Sequence, residues 1–132
     1  EPKRGMQILD CCSAPGGKTC LMAETMNGAG RVFAWDVHEH RVELIRAAAR
    51  RLKLENVRST VRDARKPFDS IELTMDAVLV DAPCSGEGMF RRDKGAFEEW
   101  SVEHSDSCSV RQLKILESAK KALRPGGILV YF

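Results

Sequence analysis

One apolar run constrains the fold more than any other feature of this sequence. Residues Met75 to Asp81 (MDAVLVD) form a nearly continuous apolar stretch that ends on an acid. Such a run is typical of a central parallel strand that is covered on both faces. Since parallel strands are joined by crossovers that are usually helical, we expect an α/β protein.

The rest of the chain alternates between strand-like and helix-like segments. Between Glu39 and Leu54, for example, apolar residues recur at helical spacing, with arginines on the other side. Residues Ala82 to Glu103 are predicted to form a long loop. The alternation indicates right-handed crossovers and a doubly wound parallel sheet. The predicted strands are Met6–Cys12, Arg31–Asp36, Val57–Val61, Met75–Asp81 and Ile128–Phe132, and the predicted helices are Lys18–Met26, Glu39–Leu54 and Val110–Leu123.

Length and composition favour one cytoplasmic domain that spans residues 1–132. A chain of 132 residues with 43% hydrophobic and 30% charged side chains can bury one core. No apolar stretch is long enough to cross a bilayer, and the first residues (EPKR) lack the apolar centre of a signal peptide. The five cysteines are odd in number and include no C-x-x-C pair, which favours reduced thiols and no metal site.

A glycine loop follows the first predicted strand. Residues Ala14 to Lys18 (APGGK) lead from that strand into a helix, where backbone N–H groups can meet a ligand. The loop matches neither the dinucleotide pattern nor the triphosphate pattern of glycines. By itself it could also be no more than a tight turn.

Two acids at strand ends favour an adenosine cofactor. Asp36 ends the second strand nineteen residues after Gly17, where an acid can accept hydrogen bonds from ribose hydroxyls. Asp63, after the third strand, could accept one from an adenine amino group or could be an ordinary turn residue. Ligands of doubly wound sheets bind at the carboxyl ends of the strands, which is where these acids lie.

The segment from Asp81 to Phe90 (DAPCSGEGMF) carries the most chemical information. An acid ends an apolar strand, a proline follows, and Cys84 lies in a glycine-rich loop. Because C5 of cytosine is a poor nucleophile, a thiolate that adds at C6 can activate it for methylation. Asp81 could hold the base through its exocyclic amine or N3. The alternative for Cys84 is an inert buried thiol.

Basic residues cluster in two places. The first cluster, Arg46, Arg50, Arg51 and Lys53, is most simply a solvated helix face. The second, which comprises Arg91, Arg92 and Lys94, follows the Cys84 loop, where cations could meet phosphates. A nucleic acid is therefore a plausible partner.

These segments together resemble a known family. Residues 9–19 (LDCCSAPGGKT) and 81–90 (DAPCSGEGMF) are similar to signature segments of the Sun (Fmu) family of RNA cytosine-C5 methyltransferases. Residues 112–116 (QLKIL) and 124–131 (RPGGILVY) are similar to its later segments. The resemblance covers essentially the whole chain. It implies S-adenosylmethionine as cofactor and rRNA or tRNA as partner.

The resemblance also implies roles for individual residues. Asp81 and Cys84 would be catalytic, with Cys84 assisting release of the covalent adduct. The attacking thiol of the family follows a Val-Tyr strand, whereas this sequence ends at Phe132. We therefore expect a fragment that binds cofactor with little turnover, folded as a Rossmann-like methyltransferase sheet without its last two strands. The implied cofactor contacts are Cys12, Ser13, Ala14, Pro15, Gly16, Gly17, Lys18, Asp36, Arg41, Asp63 and Asp81.

Two other functions remain open at this stage. In DNA cytosine methylation a thiol directly after proline is itself the nucleophile, and Cys84 would then suffice. A degenerate module could also bind cofactor or RNA without modifying it. In each case the fifth strand would lie at an uncovered sheet edge, which predicts self-association.

Overall fold

The computed structural model describes residues 1–66, 70–82 and 101–132, and of His104 the backbone alone. Five strands and three helices follow one another along these ranges. In chain order they are β1 (Gln7–Asp10), α1 (Gly17–Thr25), β2 (Arg31–Asp36), α2 (Glu39–Arg51), β3 (Val57–Val61), β4 (Met75–Val80), α3 (Val102–Ala122) and β5 (Leu123–Tyr131).

The five strands form one parallel sheet in the order β3-β2-β1-β4-β5. The first strand lies in the middle, with Leu9 opposite Phe33 of β2 on one side and Val78 of β4 on the other. The chain winds outward from β1 in one direction and then, from β4, in the other. This confirms the predicted doubly wound sheet and puts its switch point between β1 and β4.

Both faces of the central strands are covered. Leu9 of β1 and Val78 of β4 pack in one cluster with Ile115 and Ala119 of α3. The neighbouring Ile8 points to the opposite face and packs with Ala23 of α1. Each such large buried side chain contributes about 1.5–3 kcal/mol to folding. The near-continuous apolar pattern of the central strands follows from this double coverage.

The second helix ends at Arg51, three residues before the predicted end. Lys53 has a left-handed backbone with φ 55°. The N–H of Leu54 donates to the carbonyl of Ala49 at 2.9 Å, and that of Lys53 donates to the carbonyl of Arg50 at 3.1 Å. These two bonds form a Schellman motif, which terminates the helix although Leu54 continues its apolar pattern.

The last helix and strand both begin earlier than predicted. Helix α3 starts at Val102, within the predicted loop and eight residues before Val110, because packing of the buried Cys108 adds to a weak local pattern. Strand β5 starts at Leu123, which pairs with Met75. The register then shifts, so that Ile128 is opposite Ala77 and the Arg-Pro-Gly-Gly segment forms an irregularity inside the strand.

No helix in the described ranges is long and apolar enough to cross a membrane.

Candidate functional site

A cleft of about 610 Å³ lies at the carboxyl ends of the strands. Its volume is within the range of small-molecule and cofactor sites. The walls come from the loops after β1, β2, β3 and β4 and from one side of α3. The lining residues are Cys11, Cys12, Ala14, Asp36, Val37, His38, Arg41, Arg62, Asp63, Ala64, Arg65, Asp81, Arg111 and Ile115.

The glycine loop is fixed to the end of β2. Both the backbone N–H and the hydroxyl of Ser13 donate to the carbonyl of Trp35, at 2.9 and 2.8 Å. Gly16 has φ 103°, and a Cβ there would lie 3.3 Å from the Cα of Ile45 in α2. Glycine is therefore required by both the backbone conformation and the close approach of α2.

The implied cofactor residues of this loop take different positions. Cys12 and Ala14 line the cleft, whereas the buried Ser13 side chain is turned toward β2. Pro15, Gly16 and Gly17 are not among the lining residues. Gly17 begins α1, so the loop presents a helix start, whose first N–H groups have no acceptor within the helix.

Asp36 is a buried carboxylate in the cleft wall. Its side chain is only 4% exposed. Oδ1 accepts a hydrogen bond from the N–H of His38 at 3.1 Å, and Oδ2 lies 3.6 Å from a guanidinium nitrogen of Arg41. A carboxylate has about four acceptor positions, so capacity for further donors remains on this side chain.

Asp63 is held by its neighbour Arg65. The Arg65 guanidinium donates to both carboxylate oxygens, with the shortest contact 2.6 Å, and the Arg65 backbone N–H donates to Oδ1 at 3.0 Å. These hydrogen bonds lower the pKa of Asp63 to about 2. A ligand amino group that bonds Asp63 therefore has to share the carboxylate with Arg65 or displace it.

Asp81, at the end of β4, forms an ion pair across the sheet end. The Lys18 ammonium lies 2.6 Å from Asp81 Oδ2, and the two side chains are 52% and 39% exposed. This contact raises the pKa of Lys18. The same ammonium lies 5.7 Å from the centre of the Phe132 ring, which follows β5. The start of α1 and the ends of β4 and β5 thus meet at one point.

Asp10 lies beneath the glycine loop and is almost fully buried. Oδ2 accepts a hydrogen bond from the Thr19 hydroxyl at 2.7 Å, while Oδ1 has no partner of good geometry among the described residues. Burial raises the pKa of Asp10 to about 6, although the Thr19 hydroxyl and the Cys12 amide act in the opposite direction. This carboxyl connects the end of β1 to the first turn of α1.

The thiols beside the cleft are poor nucleophiles. Burial raises the pKa of Cys12 to about 12, with nearby Asp10 adding to the effect. It also raises the pKa of Cys11 well above its ordinary value. A thiol must be ionised to attack, so neither residue is suited to covalent catalysis. Cys11, Cys12, Cys20 and Cys108 form no disulfide bond with one another.

Several predicted features lie outside the described residues. They are Cys84, the remainder of its glycine-rich loop, and the basic cluster Arg91, Arg92 and Lys94. Among the residues that are described, no group of three or more His, Cys, Asp or Glu side chains is placed to hold a metal ion.

Sequence reasoning missed the basic part of the cleft wall. Arg62 lies with its guanidinium 4.5 Å from the centre of the Trp35 ring, and Arg111 lines the cleft from α3. Arg62 could have been found from its position beside Asp63 at a strand end. Arg111 could not have been found in this way, because it was predicted as the second residue of a helix and not as part of a strand end.

A five-stranded doubly wound sheet, a glycine loop at its switch point and a buried acid at the end of β2 define a Rossmann-like methyltransferase domain. The chain belongs to the 16S rRNA methyltransferase RsmB/F family, whose model matches residues 1–132. This is a family of S-adenosylmethionine-dependent enzymes. The resemblance drawn from the sequence motifs is thereby confirmed.

Individual relatives support this assignment. The chain is 42% identical over 131 residues to ribosomal RNA small subunit methyltransferase F of Aeromonas salmonicida. That alignment covers 99% of this chain and 28% of the relative, so the chain spans little more than a quarter of the relative's length.

Solved structures show the same fold. NSun6 from Pyrococcus horikoshii, crystallised with SFG, superposes with a TM-score of 0.86 at 34% identity, over 98% of this chain and 33% of that one. A methyltransferase homologue from Pyrococcus horikoshii gives 0.82 at 34% identity, over 98% and 40% of the two chains.

Proposed function

We propose that this chain is the cofactor-binding and base-holding part of an enzyme that methylates C5 of cytosine in small-subunit rRNA. The observation that carries the proposal is the Lys18–Asp81 pair, which stands at the end of β4 beside the cleft that contains Asp36. The relatives named as small-subunit rRNA methyltransferases favour rRNA over tRNA as substrate. Such a substrate is consistent with a cytoplasmic location.

The cleft fits an adenosine cofactor. Asp36 faces it as a buried carboxylate with spare acceptor capacity, which suits the two ribose hydroxyls. Arg41 holds that carboxylate in place, and the helix start after Gly16 offers backbone donors. When bound, S-adenosylmethionine supplies the methyl group. Asp63 is the candidate for the adenine amino group, once Arg65 yields part of its carboxylate.

Lys18 and Asp81 are suited to hold the target base. The cytosine edge presents an exocyclic amine that donates, next to N3 and O2, which accept. A carboxylate accepts from the amine, and an ammonium donates to the acceptors. The pair offers both groups 2.6 Å apart at the mouth of the cleft. Both side chains are exposed enough that a bound base can replace the ion pair as their hydrogen-bond partner.

The thiol chemistry is assigned to residues other than the cysteines of the cleft. A thiolate adds to C6, C5 then takes the methyl group, the C5 proton leaves and the thiol is eliminated. The raised pKa values of Cys11 and Cys12 exclude them as attacking groups. We propose Cys84 as the thiol that assists release, with the attacking thiol supplied from outside the described residues.

Covalent trapping tests this assignment. Full-length protein that contains this segment is incubated with S-adenosylmethionine and RNA containing 5-fluorocytosine, in wild-type form and as Cys84→Ala. If Cys84 assists release, Cys84→Ala still forms the trapped adduct and also accumulates an adduct on unmodified RNA. Loss of all adduct in Cys84→Ala would instead make Cys84 the nucleophile. An adduct on 5-fluorocytosine DNA alone would overturn the RNA proposal.

A further inference from the structure

A second concave surface of the described fold lies between α2 and β3, the edge strand of the sheet. This groove has a volume of about 290 Å³ and shares no lining residue with the cofactor cleft. It is lined by Arg46, Ala49, Arg50, Lys53, Leu54, Glu55, Val57 and Ser59. We refer to it as the α2–β3 groove.

Three cations follow one wall of the α2–β3 groove. Arg46 and Arg50 lie four residues apart on one side of α2, and Lys53 follows just after the end of the helix; all three line the groove. Arg46 is paired with Glu39 and Glu43. Arg50 and Lys53, by contrast, have no carboxylate partner in the described part of the chain. Of the residues that the structure describes, Glu55 is the only acid that lines the groove, so the lining holds three cations and one carboxylate.

Helix stabilisation alone does not explain this arrangement. Cations in the last turn of a helix interact favourably with its dipole, and both Arg50 and Arg51 lie in that turn. Arg51, however, does not line the groove, and its charge acts on Cys20 of α1. Lys53 lies beyond the last helical residue, yet it extends the row of charges on the groove wall.

We propose that the α2–β3 groove is a second RNA-contact surface, which binds the phosphate backbone of the substrate away from the target cytosine. The proposal rests on the RNA methyltransferase function proposed above. Arg46, Arg50 and Lys53 form a row of cations along the groove wall, and such a row can contact phosphates of an RNA strand. Ala49, Leu54 and Val57 add apolar surface between the charges. Contacts of this kind position the RNA without selecting its sequence.

Neighbouring arginines provide a matched test. Arg50→Gln and Lys53→Gln each remove one charge from the groove, and Arg51→Gln removes one from the adjacent surface of the same helix. Binding of the full-length protein to a small-subunit rRNA transcript is measured by fluorescence anisotropy at several salt concentrations. We expect each groove variant to reduce the slope of log K against log salt by roughly 0.7–0.9. Arg51→Gln should leave the slope unchanged, and the turnover number at saturating RNA should stay at the wild-type value in all three.

The outcomes separate this inference from the proposed function. If Arg50→Gln and Lys53→Gln show the same salt slope as the control Arg51→Gln while the wild-type protein methylates RNA, the groove is not an RNA-contact surface. The proposed function then stands. If the wild-type protein transfers no methyl group to RNA, the proposed function itself is wrong, and the groove proposal is withdrawn with it.

Discussion

The ammonium of Lys18 lies 2.6 Å from Oδ2 of Asp81, although the two residues are 63 positions apart in the chain. The contact joins the first turn of α1 to the end of β4, across the switch point of the sheet. Neither side chain is buried, so the pair contributes little to folding stability. Its value is in placing an acceptor and a donor together beside the cofactor cleft.

Replacing Lys18 tests the base-holding role of this pair. Lys18→Met should lower kcat/KM for RNA about 10- to 150-fold, because a hydrogen bond to a charged group contributes about 1.5–3 kcal/mol. The cofactor dissociation constant should change less than threefold, since Lys18 is not among the lining residues of the cleft. Steady-state methylation and calorimetry measure the two quantities. Lys114→Met, on the exposed surface of α3, is the control. An equal decrease of kcat/KM in Lys18→Met and Lys114→Met would contradict the prediction.

Removal of the Asp36 carboxylate should weaken cofactor binding. We expect Asp36→Ala to raise the dissociation constant of S-adenosylmethionine by about 1–3 kcal/mol, roughly 5- to 150-fold, because ribose hydroxyls lose a buried acceptor. Asp36→Asn keeps one acceptor oxygen and should lose less. Calorimetry measures both. An unchanged constant in Asp36→Ala would show that the ribose binds elsewhere.

The buried Asp10 should make stability depend on pH in an unusual direction. Its pKa is about 6 in the folded chain against 3.8 ordinarily, so between these values the unfolded chain has lost a proton that the folded chain keeps. Stability therefore falls as pH rises from about 4 to 6, by ~3 kcal/mol for this group.

Asp10→Asn should remove that part of the pH dependence while it keeps an acceptor for Thr19. Urea denaturation between pH 4 and pH 7.5 measures the difference between the wild-type and variant curves. The wild-type protein should lose stability relative to Asp10→Asn as pH rises through this range. Parallel curves would show that Asp10 titrates at its ordinary pKa.

Two adjacent glycines should respond differently to alanine. Gly16→Ala places a Cβ at φ 103° and 3.3 Å from Ile45, which should cost about 1–3 kcal/mol. Gly17→Ala meets no atom within 4 Å and lies in a helix, so it should be neutral or stabilise by about 0.5–1 kcal/mol. Denaturant unfolding of both variants checks the contrast. Equal changes in the free energy of unfolding would mean that the loop can move away from α2 to accommodate the added Cβ at position 16.

The outer edge of β5 should promote association of residues 1–132 when they are produced alone. Among the described residues this strand pairs only with β4, and Ile128, Val130 and Tyr131 are 58%, 41% and 46% exposed. Unpaired strand edges with apolar side chains favour pairing between copies. Light scattering after size exclusion should show dimers or larger species that Val130→Lys reduces. A monomer at high concentration would count against this prediction.

The sequence by itself determined the fold class and the places where the site would lie. Strands such as Met75–Val80 are almost entirely apolar because both faces are covered, and this pattern is visible in the local sequence alone. Gly16 and Asp36 were recognisable for a similar reason, since a strand end followed by glycine or acid is a local signal. The starts of α3 and β5 were not, because Cys108 and Leu123 are fixed by distant contacts with little local pattern.

Only the tertiary structure decided how these residues act on one another. It brought Lys18 to Asp81 and buried Asp10 so that its pKa rises. Ion pairing and desolvation depend on distances between groups that are far apart in the chain. Residue type and spacing cannot specify such distances, which is why the sequence located the acids of the site but not their partners or charge states.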